Sequence, residues 1–363
     1  MARLLTPRVL RRGFELFVLG SLIGFGALLL YGRNFDELLQ AIPRIQWIWV
    51  VVGLGLASLD WFGGGVRLWV LAREIYPGAS LKGLLLAGGM GAWASYLTPL
   101  QSGNVPMTVY TMRRYGIPVP IALTLVMMTF VATTAFFGIA GPLAIAFGAG
   151  KSLGQHGILF GISLYDLFLV SLGIFVAGFG LMMLTVVWPR GLHLLLRAVT
   201  RFVGRHSRRV AARLEQIESG IDQVHGAMRK FNSPRGWLSL GLATLVSGPS
   251  HANKLLAGYV ALRAIGIEAA FVDVLLLQTL ITFLLYFFAP TPGGSGIAEL
   301  LSAAVMSIYV PRPLTPLYTL IWRLITTYFT VGFGFLVFTS WVRRGLKDIE
   351  QDPGPLAAEV QPG

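Results

Sequence analysis

Cysteine is absent from the 363 residues, so neither a disulfide nor a thiolate metal site is open to this chain. Charge is scarce: Asp, Glu, Lys and Arg make up 12%, against about 25% in an average soluble domain. A water-soluble protein of this length has more surface than so few charges can cover. Common catalytic signatures are missing too. There is no G-x-x-x-x-G-K-[ST] loop to cradle a nucleotide, no H-E-x-x-H zinc motif and no G-x-S-x-G nucleophile elbow. The five histidines (His156, His193, His206, His225, His251) do not cluster at metal-ligand spacing. No cofactor is therefore expected, and the longest polar stretch, 189–236, is too short for a soluble catalytic domain.

What is present is apolar: 55% hydrophobic residues, 12% aromatics and a mean hydropathy of +0.70. Disordered chains are polar and poor in aromatics. The composition therefore predicts an all-α polytopic membrane protein. Full-length apolar runs lie at 14–31, 47–72, 118–147, 158–188, 237–262 and 314–342, each long enough for a spanning helix of about 20 residues. The first follows Arg3, Arg8, Arg11 and Arg12 but no small-residue cleavage site, so it reads as a retained helix.

Two further runs are broken. Residues 80–98 meet Pro99, Gln101, Ser102, Gly103, Asn104 and Pro106 before a short run at 105–112. Residues 269–289 meet Pro290-Thr291-Pro292-Gly293-Gly294-Ser295-Gly296 before a short run at 297–309. Such clusters cannot continue a lipid-facing helix, and a half-length helix returns after each. The pattern suits two re-entrant hairpins beside six full spans. With the N- and C-termini cytoplasmic, 21 of the 29 basic residues fall inside and five outside, which obeys the positive-inside rule. The same split results if the broken pairs span fully, so charge sets orientation without separating the two topologies.

Repeat one, 47–148, and repeat two, 237–342, each read helix, broken pair, helix, with opposite sense in the membrane. Interrupted segments at matching places of inverted halves point to a transport site at the midplane. The repeats belong to a single membrane domain, 1–350. Between them, segment 189–236 is basic and amphipathic (Leu192, Leu195, Leu196, Val199 against Arg197, Arg201, Arg205). It reads either as a helix on the inner leaflet or as a linker helix on the cytoplasmic ends, and both bring it to anionic lipids. The basic excess thus calls for membrane lipid and not nucleic acid. The tail 351–363 reads as disordered.

Charges within spans are expensive and face a partner or a wet cavity. Asp60 and Arg67 lie seven residues apart on one helix face, with Gly63-Gly64-Gly65 between them for close approach or local unwinding. Arg323 sits inside the last run beside Thr326 and Thr327. Glu299, in the first turn of the returning half-helix, either caps that turn or pairs with Arg323 or Arg67. Lys254 follows Gly248-Pro249, a pair that kinks a span. Gln101 and Asn104 give the first tip neutral polar groups. Pro292, Gly293, Gly294 and Gly296 form a second tip whose amides suit an anion, with Arg323 or Lys254 as counter-charge. Arg113, beside Arg114, reads as a topological anchor that would also serve a lipid pathway.

The string Pro290-Thr291-Pro292-Gly293-Gly294-Ser295-Gly296-Ile297-Ala298-Glu299, with Trp322-Arg323 one span later, resembles the lysylphosphatidylglycerol synthase transmembrane-region family. Pro99-Leu100-Gln101-Ser102-Gly103 and Arg67-Leu68-Trp69 match two earlier elements of the family, and the resemblance covers roughly residues 10–345. Where many members carry an acid after the glycine of the first element, this chain has Asn104, so the ionic contact expected there is missing. The resemblance implies a flippase-like protein of the bacterial inner membrane that moves a phospholipid or a polyprenyl- or hopanoid-type lipid. It works alone, as a homo-oligomer or beside a lipid-synthesis enzyme. No part of this sequence corresponds to the aminoacyl-transferase domain of bifunctional members, so translocation is implied and not lipid aminoacylation. The competing readings are an intramembrane lipid-modifying enzyme with Glu299 as base, and a non-catalytic scaffold.

Overall fold

A computed structural model of the chain describes residues 7–32, 35–146 and 229–351, with scattered positions between 158 and 180 and Gly226. The expected span 158–188, the basic segment 189–236 and the tail after Gln351 lie largely or wholly outside the described residues. Apart from a two-residue antiparallel pairing of Ile158–Leu159 with Ile162–Ser163, the described structure is helical. Its helices are α1 (Pro7–Gly32), α2 (Phe35–Ala41), α3 (Trp47–Ile75), α4 (Leu81–Tyr96), α5 (Asn104–Arg114), α6 (Val119–Ala146), α7 (Pro234–Ser250), α8 (Ala252–Leu255), α9 (Ala257–Ala264), α10 (Phe271–Phe288), α11 (Ile297–Met306), α12 (Thr315–Arg323) and α13 (Phe329–Gln351).

Among the described residues, four helical stretches are long and apolar enough to cross a bilayer: Val9–Gly32, Trp47–Ile75, Val119–Leu143 and Arg312–Trp341. The run expected as one span at 237–262 is instead three pieces, α7, α8 and α9. The helix passes through Pro249 and stops at His251. There the backbone N–H tightens onto the carbonyls of Ser247 and Gly248, and imidazole Nδ1 lies 2.8 Å from the Ser247 carbonyl oxygen. The step between α12 and α13 is a π turn, Leu324–Tyr328, inside what the hydropathy alone reads as continuous helix.

Helix starts follow local chemistry. Ser80 accepts from the Gly83 amide at 3.3 Å to open α4, and Ser233 accepts from the Gly236 amide at 2.9 Å to open α7, with Pro234 in the first turn. Both breaker clusters form helix–turn–helix hairpins, α4 with α5 and α10 with α11, whose arms pack on each other and whose tips touch. Each tip is a single 3₁₀ turn opened by proline, Pro99–Gln101 and Pro292–Gly294. Each then places two residues in the left-handed region: Leu100 (φ 51°) and Gln101 (φ 56°), Gly293 (φ 58°) and Gly294 (φ 66°). Glycine adopts that region freely; for Leu100 and Gln101 it costs roughly 1–2 kcal/mol each. Thr98 offsets this strain by accepting from the Gly103 amide at 2.7 Å while donating to the Ala94 carbonyl at 2.8 Å.

The run Gly63-Gly64-Gly65 leaves α3 unbroken and serves close approach. Gly65 and Gly88 bring α3 and α4 into backbone contact, and a Cβ on Gly88 would lie 2.7 Å from the Gly64 carbonyl carbon. Gly88→Val is expected to lower stability by about 1–3 kcal/mol through overpacking. Gly55→Val, which meets nothing within 4 Å, is expected to change little. Thermal unfolding of the two variants in one detergent checks the pair, and equal melting temperatures would contradict this helix crossing.

Candidate functional site

The hairpins, α3, α6 and the broken α7–α9 run enclose a cavity of about 670 Å³, within the roughly 300–1,000 Å³ range of ligand sites. Asp60, Arg67, Gln101, Asn104, His251 and Lys254 are among its lining residues. A second pocket of about 70 Å³ lies beside it, lined by Gly293 and Gly294 of the second tip and by Arg323, Thr326 and Thr327. Tyr96, Gln101 and Lys254 line both spaces, so the two abut.

Arg323 is the largest fully buried side chain among the described residues, 1% exposed. Its Nε donates to Glu299 Oε1 at 2.9 Å, and its Nη1 donates to the Gly293 carbonyl and to Thr327 Oγ1, both at 3.1 Å. Glu299, 0% exposed, accepts the Gly296 amide on Oε2 at 2.8 Å, so it both caps α11 and pairs with Arg323. It lines neither space. Arg323 Nη2 has no hydrogen-bond partner among the described residues. A buried guanidinium N–H without an acceptor is costly, and this one belongs to a side chain on the wall of the small pocket.

Asp60 is the second centre. Its Oδ1 accepts from Lys254 Nζ at 2.7 Å, and its Oδ2 accepts from Tyr96 Oη at 2.8 Å and Thr330 Oγ1 at 2.9 Å. Those three partners come from α8, α4 and α13, so one carboxylate on α3 ties helices from both ends of the sequence. Tyr96 Oη also lies 3.0 Å from the Thr326 carbonyl in the π turn. A π turn shifts the backbone bonding by one residue and is frequent at functional sites. Arg67 does not pair with Asp60. It turns into the large cavity and donates to Thr133 Oγ1 and, at 3.3 Å, to Ser247 Oγ.

Most residues singled out by the sequence meet here. Asp60, Arg67, Gln101, Asn104 and Lys254 line the large cavity, while Gly293, Gly294 and Arg323 line the small one. Two expectations need correction. Arg113 is exposed at the end of α5 and reaches neither space, because a short helix starting at the tip carries its last turn away from it. The second tip is also a poorer amide cradle than its glycines suggest. The Gly294 amide donates to the Thr291 carbonyl at 3.0 Å and the Gly296 amide to Glu299, whereas Arg323 Nη2 beside this tip has no acceptor among the described residues. Pro292 is buried and sets the turn. Tyr96, Thr133 and Thr330 escaped the sequence reading, since lone hydroxyls in apolar helices carry no pattern.

The profile of a family described as lysylphosphatidylglycerol synthase TM region matches residues 15–334. A UPF0104 membrane protein from Archaeoglobus fulgidus is 25% identical over 296 residues, spanning 81% of this chain and 87% of that protein. No solved structure matches. The profile match takes in both hairpin tips, the Asp60–Lys254 pair and Arg323. This multi-pass membrane protein therefore belongs to the lysylphosphatidylglycerol synthase TM region family.

Proposed function

We propose that the protein moves a lipid with a phosphate-bearing headgroup between membrane leaflets, the headgroup passing through the cavity between the two hairpin tips. The observation that carries this reading is Arg323. It is held by Glu299, Gly293 and Thr327, leaves both N–H groups of Nη2 without an acceptor among the described residues, and lines a pocket of about 70 Å³. Arg67, Lys254 and Arg323 line the two spaces against Asp60 as the one acidic lining residue; even with Glu299, which pairs with Arg323 from outside them, the cations are in excess by one, and Asn104 adds no charge, which favours an anion. The larger cavity then takes the rest of the headgroup while acyl chains stay in lipid.

In this reading the two hairpins are re-entrant and the repeats inverted. Both tips begin Pro-x-x-Ser-Gly with two left-handed residues, which supports their equivalence. Six full spans, cytoplasmic termini and a bacterial inner-membrane setting complete the proposal, on the strength of the basic-residue split. A role for Glu299 as a catalytic base is disfavoured, because both its oxygens are occupied away from the cavity.

The test is purified protein in liposomes carrying a fluorescent phosphatidylglycerol in both leaflets, with a membrane-impermeant reductant added outside. Exchange is expected to let fluorescence fall well below the half that protein-free vesicles retain. Retention of that half, with phosphatidylglycerol and with phosphatidic acid alike, overturns the proposal.

A further inference from the structure

Away from the central cavity, α3, α4 and α13 leave a groove of about 590 Å³ on the outer face of the helix bundle. Its two ends differ in chemistry. At one end stand Lys82 in the first turn of α4 and Arg114 in the last turn of α5, both exposed, with Arg114 lying 4.6 Å over the Trp341 ring. Towards the other end the lining is Phe62, Leu85 and Phe333, with Phe333 packed edge-on to Trp61 at 5.0 Å. Two cations and no carboxylate line the groove. From Trp341 to Phe333 the groove follows α13 for eight residues, about 12 Å at 1.5 Å per residue.

A tryptophan and an arginine at the charged end mark the depth of a membrane–water interface, and the apolar end runs from there towards the midplane. We propose that this groove is a binding site for one anionic phospholipid, its phosphate on Lys82 and Arg114 and the upper part of one acyl chain along Phe62, Leu85 and Phe333. Charge complementarity selects the occupant: a zwitterionic lipid adds a cation where the groove already holds two. A lipid seated there joins α13 to the α3–α4 pair. The proposal is separate from lipid movement through the centre and holds whether or not that occurs.

Native mass spectrometry of delipidated protein titrated with dioleoyl phosphatidylglycerol or dioleoyl phosphatidylcholine tests it. The native chain is expected to hold phosphatidylglycerol in preference to phosphatidylcholine. Lys82→Gln with Arg114→Gln is expected to remove one tightly held phosphatidylglycerol, with an affinity loss of about tenfold or more. Both positions are exposed, so the fold is expected to persist, which the melting temperature checks. In the Glu299→Gln/Arg323→Met background, which removes the central guanidinium without stranding a buried charge, the Lys82→Gln and Arg114→Gln changes are expected to remove the same one phosphatidylglycerol, separating the groove from the central pocket. Unchanged phosphatidylglycerol binding by the Lys82→Gln/Arg114→Gln variant, equal binding of phosphatidylcholine, or no further loss of lipid when those two changes enter the Glu299→Gln/Arg323→Met background each overturns the proposal.

Discussion

Truncating Glu299 to alanine is expected to destabilise the protein by about 3–5 kcal/mol, the range for a buried pair broken on one side. The cause is not the missing attraction but the guanidinium left behind. Arg323 is 1% exposed and already has both N–H groups of Nη2 without an acceptor among the described residues; without Glu299 its Nε loses its acceptor as well. The α11 N-terminus also loses the carboxylate that accepts the Gly296 amide. Arg323→Ala is expected to fall in the same range, because it strands a carboxylate 0% exposed. Changing both is different. Glu299→Gln keeps an acceptor for Gly296, and Arg323→Met fills the volume without charge, so the double variant is expected to recover most of the loss. Unfolding of the native protein, Glu299→Gln, Arg323→Met and the double variant in one detergent gives the coupling; additive losses would contradict a paired site.

The second large effect is expected at Asp60. Asp60→Ala removes the acceptor of three side chains, Lys254, Tyr96 and Thr330. Hydrogen bonds to a charged partner are each worth about 1.5–3 kcal/mol, but Lys254 is 24% exposed and lies on the cavity wall. Water there screens the ammonium, so the expected loss is about 2–3 kcal/mol, below that at Glu299. Asp60→Asn keeps an oxygen for Tyr96 or Thr330 and is expected to cost about half as much. Lys254→Met in the Asp60→Asn background is expected to return part of the remainder. Melting temperatures that leave Asp60→Ala equal to the native protein would remove the carboxylate from its place at the centre of the fold.

How legible was this site in the sequence? The hairpin tips were, because proline and glycine clusters cannot continue a helix in lipid, and both clusters do form turns. The buried charges were too, because few charges sit inside long apolar runs. The pairing was only half legible. Glu299 beside a glycine cluster allowed a cap, a partner in Arg323 or one in Arg67, and it turns out to cap α11 and pair with Arg323 together. The Asp60–Lys254 contact was out of reach, since 194 residues separate the two and nothing local links them. The π turn Leu324–Tyr328 holds neither glycine nor proline, so hydropathy reads straight through it. Arg113 suits the reading as a topological anchor, exposed in the last turn of α5, but only the direction of α5 shows that it leads away from the cavity.

The central claim is that Arg323 serves a lipid headgroup and not only the fold. The Glu299→Gln/Arg323→Met double variant separates those roles, because its stability is expected to approach the native value while the guanidinium at the small pocket is gone. The deciding measurement is the phosphatidylglycerol leaflet-exchange rate of this variant and of the native protein, reconstituted at equal density. Exchange is expected for the native protein, and a rate near that of empty vesicles for the folded variant. A variant that exchanges lipid at the native rate would contradict the claim.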